Sequence, residues 1–240
     1  EGIVGTERII NMLNVANDEL VIDEKGIYSV EKFIISRRLM YWQVYLHKTV
    51  IVADNLLYSV FRRARHLLEK GVKLLGPEYL LDFLMHKYDE QSFIDNPQLL
   101  QRFALIDDSD ILSSVKLWMN SGVDKVLAEL SSQLAYRRLG AISISDKPFS
   151  PALVDTMKRA AVDHLSLQTD EADYFVGTGM LQNNAYSFND QEIKVLFKDG
   201  TCRDISEASD QLDRRFLEKQ VTKYYLYYPK DLKCVYTSLQ

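Results

Sequence analysis

The chain has 240 residues, 47% of them hydrophobic, and a formal charge of -5. It is long enough to bury one or two cores, and its mild acidity argues against a general nucleic-acid binder while leaving room for a local basic stripe. No apolar run reaches the ~20 residues of a membrane span, and two distant cysteines, Cys202 and Cys234, outside any metal spacing, fit reduced thiols and a cytoplasmic setting.

The opening residues begin at Glu1 without Met, do not read as a secretory leader, and show a helical period from Thr6 to about Asn14 with no clean cap before it. The chain is therefore expected to be a piece that starts partway through a domain. Glu19 to Ile22 followed by the turn Asp23 to Gly26 predicts a short hairpin. From Gly26 to Gly71 the sequence predicts one very long helix, or two end to end, with Ser29 as N-cap, Glu31 in the first turn and Gly71 as the stop. About 40 residues at ~1.5 Å each would span roughly 60 Å. Its first half, with Phe33, Ile34, Ile35, Leu39, Met40, Trp42, Val44 and Leu46, is apolar on nearly every face, which is the pattern of a buried helix.

The polar exceptions on that helix carry the information. At about 100° per residue, Arg37, Tyr41, Tyr45 and Lys48 fall at about 0, 40, 80 and 20°, so two cations and two phenols share one stripe. A buried charge needs a partner. Either Arg37 and Lys48 pair with carboxylates from elsewhere in the fold and the tyrosines are core, or the stripe faces an anionic ligand.

Asn55 to Lys70 becomes amphipathic, with Leu56, Val60, Ala64 and Leu67 on one side and Arg62, Arg63 and Arg65 on a face expected to be solvated or a subunit contact, with anion binding as the alternative. Gly76-Pro77 opens a helix from Glu78 to Lys87, and Asn96-Pro97 opens another from Gln98 to Ala104. Asp107, Asp108 and Asp110 cluster at the start of a helix from Asp110 to Asn120, where carboxylates serve as caps and dipole partners more often than as metal ligands. Val123 to Arg138 completes a helical half.

Around Gly140 the period changes. Ala141 to Ser145 alternates as a strand, Ser150-Pro151 starts a helix to about Leu165, and Tyr174 to Thr178 is the next strand. Ile193 to Phe197 and Thr201 to Ile205 flank Asp199-Gly200, a hairpin signal; a helix from Glu207 to Lys219 and a strand from Val221 to Tyr228 follow. The expected fold is α+β, mainly α: a helical part at residues 1–140, then an α+β region at 141–240 whose small antiparallel sheet, covered by two helices, is ferredoxin-like in outline. Tyr224, Tyr225, Tyr227 and Tyr228 could stack bases but read better as sheet packing. The histidines His47, His66, His86 and His164 form no metal motif, and no phosphate loop, nucleophile elbow or Cys-x-x-Cys occurs, so no self-contained catalytic set can be named.

The segment IYSVEKFIISRRLMYWQVYLHKTV resembles the helix that follows the metal site in HD-domain phosphohydrolases of the deoxynucleoside triphosphate triphosphohydrolase type. The matching pattern is Arg37, Tyr41, Tyr45 and the closing pair His47-Lys48, and the likeness continues through Asp107 to Lys116 and through Leu134 to Ile142. The resemblance implies the helical second half of an HD domain, with Arg37 on the triphosphate of a dNTP and Tyr41 and Tyr45 along its sugar and base. His47 and Lys48 match positions near an effector nucleotide or its phosphate between subunits. Such enzymes take a divalent metal from a His, a His-Asp doublet and a later Asp. None of the four is found here, so the implied chain is a C-terminal piece, inactive alone, of an oligomeric enzyme that turns a dNTP into deoxynucleoside and triphosphate. Two alternatives stay open: a non-enzymatic nucleotide-sensing or oligomerisation module, and an HD phosphohydrolase of another phosphoester.

Overall fold

The computed structural model describes residues 5–183, 192–211 and 221–239. Residues 1–47 and 180–223 make one compact unit, and residues 48–179 and 224–240 make a second. The boundary expected between residues 140 and 141 falls inside the second unit.

In the first unit α1 (Thr6–Asn11) stops short of Asn14 because the chain enters β1 (Leu13–Ala16), which pairs antiparallel with β2 (Glu19–Asp23), Ala16 opposite Glu19. The hairpin therefore turns at Asn17-Asp18 and not at Asp23 to Gly26. Both turn residues have positive φ, 53° and 64°, the two-residue geometry that matches strand twist and that Asn and Asp tolerate. Glu24–Gly26 is instead one 3-10 turn leading into α2 (Ile27–Met40), so Ser29 lies inside that helix and Gly26 caps it. A Cβ on Gly26 would stand 2.6 Å from Cγ2 of Ile22, which explains a glycine at this close approach.

The long helix is not continuous. After Met40 the backbone widens into a π turn, Tyr41–Tyr45, closed by the Leu46 amide donating to the Tyr41 carbonyl at 2.7 Å, and at Leu46 and His47 the chain leaves the helix. Nor is its first half buried all round. Val30, Glu31 and Ile34 are inside, whereas Phe33, Leu39, Met40 and Val44 are each more than 40% exposed.

The second unit begins with α3 (Lys48–Glu69). Its Leu56, Val60, Ala64 and Leu67 pack with Leu80 and Leu84 of α4 (Glu78–Met85), reached through the Gly76-Pro77 turn. Two short helices follow: α5 (Glu90–Asp95), not anticipated, and α6 (Pro97–Ala104), capped by Asn96. Then α7 (Asp108–Asn120) contributes Trp118, wholly buried with its indole N–H on the Leu75 carbonyl at 2.7 Å, and α8 (Lys125–Ala135) contributes Val126, Leu127 and Leu130. The aspartate cluster is a cap: the Asp107 carboxylate accepts from the Ser109 and Asp110 amides, and Asp110 accepts from the Asp107 amide at 3.1 Å.

The arginine face of α3 corrects the expectation of a solvated surface. Arg63 is 9% exposed and donates to both oxygens of Asp124, at 3.0 and 2.7 Å, and to Glu171 at 3.0 Å. Arg62 stacks over Tyr174, 4.4 Å from the ring centre, and donates to the Asp173 carbonyl. These partners come from the start of α8 and from the 3-10 turn Thr169–Tyr174, far along the chain, so periodicity on α3 alone gave no sign of them.

The unit continues through β3 (Ala141–Ser145), α9 (Pro151–Leu165, capped by Ser150) and the first three residues of β4 (Gly177–Asn183), which starts later than expected because residues 169–174 turn as 3-10 helix and whose remainder is counted with the first unit. Back in the first unit, β5 (Lys194–Leu196) and β6 (Cys202–Asp204) form the anticipated hairpin, with Gly200 at φ 81°. Here β5 also pairs in parallel with β2, Ile22 opposite Val195. The sheet order is β1-β2-β5-β6, over a core of Ile22, Val30, Ile34, Val195 and Ile205. Next, α10 (Ile205–Ala208) overlaps the start of the expected helix Glu207 to Lys219 but ends at Ser209, whose backbone is extended, and residues 212–219 of that helix lie outside the described residues. β7 (Val221–Tyr228) stands between β3 and β4 in a second sheet, antiparallel to β3 with Ala141 opposite Tyr228, and α11 (Lys233–Ser238) follows.

Two sheets thus replace the single ferredoxin-like one, while the class, α+β and mainly α, stands. The β7 tyrosines are packing groups. Tyr225 and Tyr227 lie against Gly179 and Gly177, Tyr225 donates to Asn55 at 3.3 Å, and Tyr228 stacks on Tyr236 with ring centres 5.1 Å apart. Burial pushes the Tyr227 phenol above its ordinary value.

Candidate functional site

On α2 the structure brings three of the expected residues together. The Arg37 guanidinium carbon stands 5.7 Å from the centre of the Tyr41 ring, and Tyr41 and Tyr45 are tilted neighbours with ring centres 5.2 Å apart. Arg37 and Tyr45 are exposed, and Arg37 makes no hydrogen bond or ion pair among the described residues. A cation held over an aromatic face by this attraction keeps its five N–H donors available. The π turn begins at Tyr41 itself, and such turns are frequent at functional sites. His47 is exposed in the break that follows. Lys48 opens α3 in the other unit, so the π turn and the break end the continuous stripe that a uniform 100° per residue predicts.

Lys48 belongs instead to a cleft of about 1020 Å³ within the second unit. Its walls carry the cations Lys48, Arg137, Arg138, Lys230 and Lys233 against the carboxylates Glu129 and Asp231, with Ser143 and Thr237 adding hydroxyls. Both carboxylates have neighbours: Arg138 stands 3.9 Å from Glu129, and His164 stands 3.3 Å from Asp231. Lys48, Arg137, Lys230 and Lys233 have no such partner among the described residues. In a chain of net negative charge, this is a local positive potential inside a concavity, where field lines concentrate.

Arg137, Lys230 and Lys233 were not singled out from the sequence. The helical stretch expected to run to Arg138 ends earlier, and Arg137 follows the end of α8 with φ 54°, the left-handed position that glycine usually fills. The Arg138 amide closes that turn on the Gln133 carbonyl at 2.8 Å. A helix that ends without a glycine, on two arginines, is the one trace the sequence offered.

Among the described residues no three His, Cys, Asp or Glu side chains stand close enough to share a metal ion, and no helix is long and apolar enough to cross a membrane.

Comparison with known proteins agrees with this architecture. Residues 4–74, which include Arg37, Tyr41, Tyr45, His47 and Lys48, match the family described as HD associated region. The chain is 27% identical over 243 aligned residues to the Bacillus subtilis (strain 168) protein YwfO, itself uncharacterised, covering 95% of this chain and 51% of that protein. Among solved structures it superposes on a phosphohydrolase from Bacteroides thetaiotaomicron VPI-5482 with a TM-score of 0.85 and 42% identity, over 93% of this chain and 55% of that one. A hypothetical protein from Aquifex aeolicus shares the fold, with a TM-score of 0.60 and 20% identity, over 100% of this chain and 52% of its own. The chain spans about half the length of the relatives it matches. Residues 4–74 thus resemble an HD associated region, and over nearly all its length the chain is similar in fold to part of a bacterial phosphohydrolase.

Proposed function

We propose that this chain is part of an HD-type, metal-dependent nucleotide phosphohydrolase, and that the intact protein hydrolyses a dNTP to deoxynucleoside and triphosphate. The observation that carries the reading is the exposed Arg37 over Tyr41, with Tyr45 alongside, inside the stretch matched by the HD associated region. A planar guanidinium grips phosphate oxygens in pairs, and phenol rings offer a face to a sugar or base and a hydroxyl to orient it. In this reading Arg37 holds the triphosphate, and Tyr41 and Tyr45 line the nucleoside. The described residues do not fit the divalent metal, so its ligands are assigned to a segment outside this chain, and no catalytic residue is assigned within it. The exposed apolar side chains of α2 call for a covering surface, and homo-oligomer formation is the proposed cover.

The test is product analysis with the intact protein and a divalent metal. Triphosphate and deoxynucleoside should appear from dNTPs, and Arg37→Ala should lower kcat/KM by roughly a hundred-fold without shifting the melting temperature, as loss of a charge-assisted bidentate contact requires. Release of monophosphate or pyrophosphate would point to another phosphoester as substrate. Unchanged turnover in the variant would remove Arg37 from the site, and turnover by the 240-residue chain alone would overturn the assignment of the metal ligands.

The basic cleft favours a second reading, a nucleotide-sensing module, in which Lys48 with Arg137, Lys230 and Lys233 takes the phosphates of an effector. Under it, the chain alone binds tripolyphosphate with an affinity that falls as salt rises. Lys48→Ala combined with Lys233→Ala should weaken that binding roughly ten-fold.

A further inference from the structure

We propose that α4, α5 and α6 form a docking cup for an acidic protein segment with an aromatic or large aliphatic anchor. The floor is a ring cluster. Phe83 meets Tyr88 edge-on at 5.1 Å and Phe103 at 5.3 Å, and Phe93 closes the group at 6.0 Å from Phe103. Such a cluster would suffice to tie the three helices together, yet it is not covered. Phe103 is 52% exposed and Leu100, one turn before it on α6, is 57% exposed. Together these side chains line a cavity of about 570 Å³, within the range of ligand-binding clefts.

The rim decides the chemistry of the occupant. Arg65, His86 and Lys87 line the cup and no carboxylate does, in a chain whose net charge is -5. Two nearby acids, Asp82 and Asp89, are already committed. Asp82, behind the rim, accepts from Tyr88 and from His86 at 2.8 Å and stands 3.3 Å from Arg102, while Asp89 caps α5 through the Ser92 amide at 2.9 Å. Asp82 thus engages His86 and fixes Tyr88, leaving the permanent positive charge of the rim to Arg65 and Lys87. Arg65 is anchored by its Nε on the Leu84 carbonyl at 2.6 Å, and its terminal amino groups have no protein partner among the described residues; neither has the Lys87 ammonium. Exposed rings want an apolar anchor, and unpaired cations at their edge select carboxylates beside that anchor. The cup shares no lining residue with the basic cleft and does not depend on the phosphohydrolase reading.

The test is fluorescence polarisation of the chain with a labelled peptide carrying Phe and Leu three positions apart between runs of Glu. The peptide should bind saturably, and binding should weaken roughly ten-fold in Lys87→Glu, in Phe103→Ser and with a Lys-flanked version of the peptide. Lys87 is exposed, so Lys87→Glu should keep the parent melting temperature and carries the test by itself, whereas Phe103→Ser, which gives up ring contacts with Phe83 and Phe93, should lower it while leaving the chain folded at the assay temperature. Absence of saturable binding, or equal binding of the Lys-flanked peptide, overturns the proposal. So does sedimentation showing that the chain self-associates and that Phe103→Ser dissociates it, because the occupant would then be a second copy.

Discussion

Replacing Arg63 by methionine keeps the aliphatic stem in the core and removes the guanidinium that holds Asp124 and Glu171 together. The side chains of the three residues are 10, 13 and 16% exposed, so their charges face each other largely out of water. Removing one partner of such a set costs about 3–5 kcal/mol, because the others are left buried and unpaired. Residual solvent contact places the expected loss near the lower end, about 3 kcal/mol. Asp124 would keep its bond from the Leu127 amide at 2.7 Å, so the cap of α8 survives and its loss does not inflate the effect. Urea unfolding followed by far-UV circular dichroism, with m unchanged and the midpoint lowered, measures it, and the melting temperature should fall by roughly 6–12 °C. Adding Asp124→Asn and Glu171→Gln to Arg63→Met should restore part of the loss, since neutral amides are cheaper to bury and Asn still caps.

The same network fixes an acid response. Burial pushes the Asp124 carboxyl up, but its bonds from Arg63 and the Leu127 amide, with the Arg63 charge, hold it below its ordinary value. A folded-state value below the unfolded one means that this stabilisation is complete above about pH 4 and lost as pH falls through the folded-state value. Arg63→Met should therefore show a shallower loss of stability on acidification than the parent. A loss below about 1 kcal/mol, with an unchanged acid limb, would show that the network behaves as an exposed ion pair and would refute the reasoning.

A Cβ on Gly140 would stand 2.6 Å from the Tyr228 carbonyl oxygen, so Gly140→Ala should force β3 from β7 and cost about 1–3 kcal/mol in the same unfolding assay. Asp18 has φ 64° in a two-residue hairpin loop after Asn17, and Asp18→Gly, creating the favoured Asn-Gly turn, should stabilise the first unit by up to about 1 kcal/mol. Asp107→Ala removes one side of the capping box and should cost about 1 kcal/mol, while Asp107→Asn should cost less.

Local chemistry was legible wherever a residue acts on its own backbone neighbours. Asn96-Pro97 and Ser150-Pro151 mark helix starts where the structure has them, the helix expected from Asp110 starts two residues earlier behind the Asp107 cap, and Asp199-Gly200 turns the hairpin it announces. Strands 141–145 and 221–228 stand at their expected limits, because alternation and the flanking Gly140 and Pro229 are local signals. The cluster of Arg37 with Tyr41 and Tyr45 was also readable, since spacings of four residues bring side chains together on a helix and survive a single widened turn.

What the sequence by itself determined, then, is most of the elements, though not β1, α5 or α11, many of the caps that delimit them, and the pairing of Arg37 with the tyrosines that follow it. Tertiary structure alone decided which edge the 194–204 hairpin would join, where the long helix would break, and that Arg63 would be buried against carboxylates 61 and 108 residues away. It also decided that Lys48 would line a cleft with Arg137, Lys230 and Lys233. For the hairpin edge, Arg63 and Lys48 the physical reason is the same. Strand edges, buried charges and clefts are satisfied by partners of the right chemistry from any part of the chain, and no periodicity within one element names the partner.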